Sequence, residues 1–338
     1  MKDMRKVHLL LPEMFWPLEE DMLAKDPARP ATLEMLLTRS RRVDFQGNNL
    51  DETLFHLFGI ANDTGPDYPL GAVTYLGTGG DSANKYWAKA TPVHLAADGD
   101  RVLLIGPDQL GITSTEAAEL VRDFNNHFEQ DGLSLLIHHP DDWLLELPEC
   151  PNIKTKAIDY VVGRHIDNCL PSGADRSKWL NLINEIQMLF HHCDINKQRM
   201  VAGSLTINGL WFFGFGELPS TDTTCTAVYS SSSLAKGLAR LSNIPHHDLT
   251  GPLNDVACID GESIVVFPGF RASKTTHQLA QWEGALMDVD CYLRQFINER
   301  NWDELTIYDC KGKGFKTDRT RLKRGFWRRT KKITEFVQ

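Results

Sequence analysis

The sequence lacks the features that mark a secreted or membrane protein. Its seven cysteines, at 150, 169, 193, 225, 258, 291 and 310, form no CxxC pair and are odd in number, which is typical of free thiols in a reducing compartment. It contains no apolar run long enough to span a membrane. Near the N-terminus, Val7–Leu11 is too short for the apolar core of a signal peptide, and Pro12-Glu13 follows it. We therefore expect a cytoplasmic protein with no membrane span.

The chain also lacks an overall positive charge, since its formal net charge is −9. A generic nucleic-acid binder is therefore not expected. The charge is unevenly spread, however. Residues 311–332, called here the basic segment, hold eleven Lys and Arg and one acidic residue, Asp318, so the other residues carry about −19. Two interpretations stay open: the basic segment contacts a polyanion such as RNA, DNA or anionic lipid, or it folds back as a solvated or internally paired face.

What is present is the composition and rhythm of a globular α/β protein. The 338 residues are 42% hydrophobic and 24% charged, which suits one large or two moderate domains. Apolar runs and helical periodicities alternate, and this predicts a mostly parallel sheet flanked by helices. The expected strands are Lys6–Leu11, Ala227–Tyr229, Ser263–Phe267 and Leu305–Tyr308, and the expected helices are Pro30–Arg42, Leu50–Ile60, Lys178–His191, Ser230–Arg240 and Gln278–Glu299.

Between residues 87 and 164 the texture changes to short strands around one helix. The capping box Thr113–Glu116 opens a helix at Glu116–Phe128, and Asp98-Gly99 predicts a hairpin turn. We expect an inserted α+β domain at 87–164 and a core formed by 1–86 and 165–338. The preceding segment Ala61–Asp81, rich in Gly, Asp and Pro, is expected to be a loop.

The stretch from Ile195 to Pro219 is the first candidate for a ligand site. It passes through an apolar run at Leu205–Phe213, which predicts a strand, and breaks at the glycines Gly214 and Gly216. Asn196, Arg199 and Asn208 place planar hydrogen-bonding groups near that strand, and an arginine can hold a carboxylate or phosphate with two bonds. The alternative is a packing strand whose polar neighbours satisfy backbone groups.

Several motifs in this order resemble archaeal-type cofactor-independent phosphoglycerate mutases. They are Asn196-x-x-Arg199-x-x-x-Gly203, Asn208-x-x-Trp211-x-x-Gly214-x-Gly216, Leu234–Ala239, Leu57–Ile60, Ala31–Leu37 and the module around Glu116–Trp143. The whole chain, with Pro92–Leu95, Asn184–Met188 and Phe326–Arg329, is similar to a bacterial family described as regulatory protein RpfE or phosphoglycerate mutase. The resemblance implies an alkaline-phosphatase-like fold, two Mn²⁺ or Zn²⁺ ions and a serine that carries the phosphoryl group.

The chain departs from that pattern where the chemistry is expected. The first strand ends in Leu11-Pro12-Glu13 instead of a ligand Asp, and Leu50 stands near the position of the serine. Phe270–Lys274 replaces an Asp-x-x-x-His pair, with His277 out of register, and Asp309-Cys310 replaces an Asp-His pair. Asp309 is thus the one implied metal ligand that is kept, and it has the alternative role of capping a turn.

Two functions follow from the resemblance and these departures. The first is a catalytically silent or altered phosphoglycerate-mutase-like protein with a regulatory role, binding a small anionic or phosphorylated ligand through Asn196, Arg199 and Asn208, or binding a protein partner. The second is an active metal-dependent mutase or phosphohydrolase with displaced ligands. For the second, the candidate ligands are Glu13, Asp51, His277, Asp309 and Asp318.

Overall fold

Strand β1 (Lys6–Leu10) has a parallel partner on each side in the computed structural model of the protein. The structure describes residues 4–15, 29–60, 67–81, 85–249, 260–267, 277–299, 302–325 and 327–336. The other strands are β2 (Arg41–Asp44), β3 (Tyr86–Asp98), β4 (Arg101–Ile105), β5 (Ser134–His139), β6 (Asp142–Leu147), β7 (Gly209–Gly216), β8 (Cys225–Tyr229), β9 (His246–His247), β10 (Glu262–Val266), β11 (Glu304–Tyr308) and β12 (Lys313–Asp318). The helices are α1 (Ala31–Arg39), α2 (Leu50–Leu57), α3 (Leu70–Thr78), α4 (Ser114–His127), α5 (Ile158–Val161), α6 (Arg176–His192), α7 (Asp194–Val201), α8 (Ser233–Leu241), α9 (His277–Glu299) and α10 (Arg319–Arg324).

The chain divides into two compact units, each with its own sheet. Unit 1 comprises Met1–Ile60 and Thr221–Gln338, and unit 2 comprises Ala61–Ser220. In unit 1 the strand order is β2-β12-β11-β1-β10-β8-β9. The pairs from β11 to β9 are parallel, and β12 and β2 are added antiparallel at one edge. The predicted α/β fold class, a mostly parallel sheet flanked by helices, is therefore confirmed.

The main core of unit 1 lies between one face of this sheet and helices α1 and α9. Val7 and Leu9 alternate with polar or opposite-facing positions along β1 and pack in this core. Pro30, at the N-cap of α1, makes no side-chain capping bond. The carboxylate of Asp290 on α9 caps the helix instead. It accepts hydrogen bonds from the backbone amides of Thr32, at 2.6 Å, and Leu33, at 2.9 Å. The two helices are thus joined by a buried cap.

Unit 2 is built on an antiparallel sheet in the order β4-β3-β6-β5, with β7 paired to β3. Helices α4 and α6 pack on this sheet over an apolar core that includes Phe124, Trp143 and Phe190. The segment 87–164, expected to be an inserted α+β domain, lies within this unit. The unit is wider than that segment, however, because α3, α6, α7 and β7 also belong to it.

The structure differs from the local expectations in three segments of the chain. The segment 61–81, expected as a loop, contains α3. The helix expected to reach Arg42 ends at Arg39, and the following residues form the edge strand β2. The polar start of the Ile195–Pro219 stretch is helix α7, and its strand, β7, pairs antiparallel with β3 in unit 2. This strand therefore belongs to the antiparallel sheet of unit 2 and not to the parallel sheet of unit 1.

Candidate functional site

The side chain of Asn196 joins helix α7 to the segment that enters β7. Asn196 is 1% exposed. Its Nδ2 donates to the carbonyl oxygens of Phe190 and Ile207, each at 2.8 Å, and its Oδ1 accepts the amide of Ile207 at 2.8 Å. A buried backbone group without a hydrogen-bond partner lowers the stability of the fold. The bonds of Asn196 therefore stabilise the contact between α7 and the segment that enters β7.

Arg199, also on α7, is buried and directs its guanidinium into unit 2. Its Nε donates to the carbonyl oxygen of Leu205 at 2.7 Å, its Nη1 to Glu116 Oε1 at 2.7 Å, and its Nη2 to the carbonyl oxygen of Leu110. Partial burial opposes the charge of Glu116, but the amide of Thr113 and the guanidinium of Arg199 together hold the pKa of Glu116 below its ordinary value. Arg199 therefore ties α7 to the capping box of α4.

Asn208 and the glycines of β7 also make close internal contacts. Asn208 accepts the amide of Leu95 at 2.7 Å and donates to its carbonyl oxygen at 3.0 Å. Gly214 has φ +66°, and a Cβ placed there would lie 2.6 Å from the Cβ of Leu70. A Cβ on Gly216 would lie 2.7 Å from the Cβ of Pro69. Internal hydrogen bonds and close packing therefore explain why the Ile195–Pro219 stretch has polar residues and glycines at these positions. They favour the packing interpretation over ligand binding.

The parallel sheet of unit 1 offers a different candidate site at the carboxyl ends of β1 and β11, which we call the carboxyl edge. The two strands stay adjacent there, because the amide of Leu11 donates to the carbonyl oxygen of Tyr308 at 3.0 Å. Each strand is followed by a non-glycine residue with a left-handed backbone, Glu13 at φ 61° and Cys310 at φ 55°. Such conformations are uncommon and occur often at functional sites. Open α/β sheets bind their ligands at this edge.

Asp309, the first residue after β11, is 4% exposed and acts within the turn that leads to β12. Its Oδ1 accepts the amides of Lys311 at 2.7 Å and Lys313 at 2.9 Å. Its own amide donates to the carbonyl oxygen of Lys313 at 3.1 Å. Asp309 thus closes the β11–β12 hairpin in the manner of an Asx turn, which is the alternative role that the sequence allows.

Cys310 lies beside the first turns of α2. Burial raises the pKa of the Cys310 thiol to about 12; the hydrogen bond with Thr53 opposes this rise, while Asp309 and Asp51 add to it. The thiolate is the nucleophilic and metal-binding form of cysteine. In the structure, Cys310 is thus a buried thiol that hydrogen-bonds with Thr53 and lies near the carboxylates of Asp309 and Asp51.

The remaining metal-ligand candidates do not complete a site with Asp309 in the part of the chain that the structure describes. Asp318 caps α10 by accepting the amide of Arg321 at 2.7 Å. In the β11–β12 register, Asp318 lies opposite Glu304, and Glu304 is at the other end of β11 from Asp309. Glu13 uses its backbone oxygen to accept the indole nitrogen of Trp282 at 3.2 Å.

Two further candidates bear on the same question. Asp51 lies in the first turn of α2, one residue after Leu50, which starts the helix. His277 begins α9, but its side chain and residues 268–276 lie outside the described residues. Within the described ranges, no three His, Cys, Asp or Glu side chains converge as metal ligands. The described candidates Glu13, Asp51, Asp309 and Asp318 therefore do not by themselves fit a pair of Mn²⁺ or Zn²⁺ ions.

A polar chain that the sequence analysis did not predict links three strands of unit 1. The Nε2 of His8 on β1 lies 2.5 Å from Glu262 Oε1 on β10, and its Nδ1 lies 2.9 Å from the hydroxyl of Tyr308 on β11. Glu262 also accepts the hydroxyl of Thr224 at 2.8 Å and lies 3.5 Å from the ammonium of Lys6.

The electrostatics of this chain follow from its contacts. The hydrogen bond with His8, helped by Thr224 and Lys6, lowers the pKa of Glu262 to about 2 against the opposing effect of burial. Burial, with the nearby Glu262 carboxylate, raises the pKa of Tyr308 above its ordinary range. A histidine in the middle of the apolar run Lys6–Leu10 is the signal that sequence reasoning missed, because a buried imidazole requires partners.

Comparison with known proteins identifies the fold. No protein-family model matches the sequence, and no curated protein matches it. The chain is similar in structure to the PH0037 protein from Pyrococcus horikoshii, with a TM-score of 0.56, 13% identity, and coverage of 94% of this chain and 88% of that one. A cofactor-independent phosphoglycerate mutase from Thermoplasma acidophilum DSM 1728 gives a TM-score of 0.47, 16% identity, and coverage of 94% and 89%. The likeness to the PH0037 protein shows a shared fold.

Among the described residues, no helix combines the length and the apolar character that crossing a bilayer requires.

Proposed function

We propose that this chain is a phosphoglycerate-mutase-like protein that does not carry out metal-assisted phosphoryl transfer and acts in regulation by binding a ligand or partner. The ligand class proposed from the sequence resemblance is a small anionic or phosphorylated molecule. The carboxyl edge of unit 1, with its two left-handed residues Glu13 and Cys310, is the part of the fold where such a ligand is proposed to bind.

The observation that carries the proposal is the state of Asp309, the one metal-ligand position that the resemblance keeps. Its Oδ1 accepts hydrogen bonds from two amides of the hairpin turn, and within the described residues no three His, Cys, Asp or Glu side chains converge as metal ligands. A two-metal phosphoryl transfer needs several deprotonated ligands and an activated hydroxyl. Leu50, at the position that the resemblance gives to the serine, supplies no hydroxyl.

A metal-binding and turnover assay on the full-length protein tests this proposal. The protein is incubated with Mn²⁺ or Zn²⁺, desalted, and analysed for bound metal by mass spectrometry. Interconversion of 3- and 2-phosphoglycerate and hydrolysis of p-nitrophenyl phosphate are measured in parallel. We expect less than stoichiometric metal and no turnover above the protein-free rate.

The variant Asp309→Asn separates the two functions. Its Oδ1 can still accept both turn amides, so on our proposal metal content and turnover stay at the wild-type level. Two tightly bound ions per chain in the wild type, with turnover that Asp309→Asn abolishes, would establish the alternative of a metal-dependent mutase or phosphohydrolase.

A further inference from the structure

The basic segment packs against helix α1 of unit 1. Leu322 of the segment is buried in the core of unit 1, and so are Ile333 and Phe336, which follow the segment. Arg321 Nε donates to the carbonyl oxygen of Arg39 at 3.0 Å. The described part of the segment therefore packs on unit 1.

Strand β2 extends this surface, because it lies at the sheet edge and is paired with β12. Arg41 and Arg42 on β2 are exposed. The guanidinium of Arg42 lies 5.6 Å from the ring centre of Phe336. The amide of Lys331 donates to the hydroxyl of Thr38 at 3.0 Å. Residues from the end of α1, from β2 and from the end of the basic segment thus form one continuous face, which we call the basic edge.

The basic edge carries a concentrated positive charge. Besides Arg41 and Arg42, six of its cations are exposed: Lys323, Arg324, Arg328, Arg329, Lys331 and Lys332. Among the described residues none of these eight forms an ion pair. The exposed acidic residues of the same elements are Asp44, Asp318 and Glu335. The last two already accept backbone amides, of Arg321 and Lys332. The charge of this edge is opposite to that of the chain as a whole.

An exposed aromatic side chain lies among these positively charged residues in the sequence. Trp327 is 68% exposed and lies between Arg324 and Arg328 in the chain. An exposed indole among arginines provides a surface on which unpaired bases stack, and arginine guanidinium groups add their own stacking and phosphate contacts. From this arrangement we infer that the basic edge binds single-stranded nucleic acid.

Other polyanions fit the same edge less well. A DNA duplex is usually read by a helix in its major groove, but α10 has six residues and is about 9 Å long. Binding to anionic lipid is strengthened by an apolar helix face that enters the bilayer. Here Leu322 of α10 faces the protein core instead. Single strands require neither feature, because they offer phosphates and bases together.

Fluorescence anisotropy with the full-length protein and a labelled RNA of about twelve unpaired nucleotides tests the inference. The other probes are single-stranded DNA of the same sequence, the duplex that it forms with its complement, inorganic polyphosphate and anionic lipid vesicles. We expect RNA or single-stranded DNA to bind more tightly than the duplex form and than vesicles. The affinity should fall linearly with salt on a double logarithmic plot.

Two variants locate the site. The four-site variant replaces Arg328, Arg329, Lys331 and Lys332 by Gln, and should weaken binding at least about tenfold at about 0.1 M salt. The matched control replaces the exposed Arg101, Arg122, Lys178 and Lys236 by Gln, with the same change in charge, and should bind like the wild type. Trp327→Ala should weaken oligonucleotide binding about tenfold and leave polyphosphate binding unchanged.

Each other result contradicts the inference. Equal weakening in the four-site and control variants would mean that the basic edge is not the site. An unchanged affinity in Trp327→Ala, or a higher affinity for polyphosphate or vesicles than for RNA and single-stranded DNA, would mean that bases are not recognised. Circular dichroism of each variant verifies that the fold is retained.

Discussion

At the scale of single residues, Arg199 gives a direct test of packing against ligand binding. Its Nε, Nη1 and Nη2 donate to Leu205, Glu116 and Leu110, and it is 6% exposed. Replacing it by Gln leaves buried carbonyl groups and the Glu116 carboxylate without their donor. We expect Arg199→Gln to lower the free energy of unfolding by about 2–4 kcal/mol in urea titrations.

The exposed Arg122→Gln serves as the control and should change stability by less than about 0.5 kcal/mol. If Arg199→Gln were as stable as the wild type but lost a thermal shift induced by a phosphorylated ligand, the ligand-contact interpretation of Arg199 would be correct instead.

The cysteines should differ sharply in reactivity. Burial raises the pKa of Cys225 to about 11 and that of Cys310 to about 12, while Cys150 and Cys291 are exposed. Since the thiolate is the reactive form, iodoacetamide at pH 8 should label the exposed Cys291, label Cys150 more slowly because partial burial also raises the pKa of its thiol, and spare Cys225 and Cys310 in the folded protein. Peptide mass spectrometry measures this, and labelling in urea is the control. Early labelling of native Cys310 would contradict its proposed inertness.

At the scale of elements, the hydrogen-bonded side chains of His8, Glu262 and Tyr308 join three strands. We expect them to make the stability of unit 1 sensitive to acid. The folded pKa of Glu262 is about 2, below its ordinary value of 4.5. Its contribution is therefore complete above about pH 5 and is lost as the pH falls towards 2. We expect Glu262→Gln to reduce the free energy of unfolding by about 2–3 kcal/mol at pH 7.

The pH dependence of that difference is the decisive measurement. Urea unfolding of wild type and Glu262→Gln between pH 7 and pH 3 should give stabilities that approach each other as the pH falls. A difference that stays constant over this range would show that the charge of Glu262 is not what stabilises the strands.

The contact of α3 with β7 requires glycine at position 214. A Cβ there would lie 2.6 Å from the Cβ of Leu70, and the backbone has φ +66°. Gly99, in the β3–β4 turn, has a similar φ of +63° but nothing within 4 Å of an added Cβ. Gly99→Ala should therefore lower the free energy of unfolding by about 1 kcal/mol, and Gly214→Ala by at least about 3 kcal/mol. Thermal or urea unfolding measures both. Equal costs would mean that α3 shifts without penalty.

The same elements show what the sequence can predict. The strands β1, β10 and β11 are short apolar runs, so their pattern alone identifies them. Helix α3 was missed because Gly71 and Gly77 lower helix propensity, yet a Cβ on Gly71 would lie 2.5 Å from the Cα of Ala88. The close packing that selects this glycine comes from a distant strand, which no local pattern reports.

The candidate site was predictable in the same partial way. The sequence identified Asp309 and its possible role in a turn, because Asp is a common turn residue. It did not identify the neighbours of Cys310 or the partners of His8, since these depend on strands that are about 250 to 300 residues apart in the chain. The partner of Asn208, Leu95 on β3, and the partner of Arg199, Glu116 on α4, are likewise about 80 to 110 residues away in the chain, so no local pattern indicates them.

At the scale of the whole molecule, the charge is separated in a way that chromatography should detect. The sequence pI is about 5.7, but the basic edge is positive. We expect the protein to bind heparin at pH 7.5 and low salt despite its net charge of −9. The four-site variant should elute at clearly lower salt than the control variant, and coincident elution would show that heparin binds elsewhere.

The central position of β1 has a consequence for synthesis on the ribosome. Residues 6–10 are made early, but their two partners are residues 262–266 and 304–308. Both edges of this apolar strand therefore wait unpaired while most of the chain is translated, whereas unit 2 is continuous and can fold first. We expect the nascent N-terminus to need protection by a chaperone, and expression at lower temperature to raise the soluble yield.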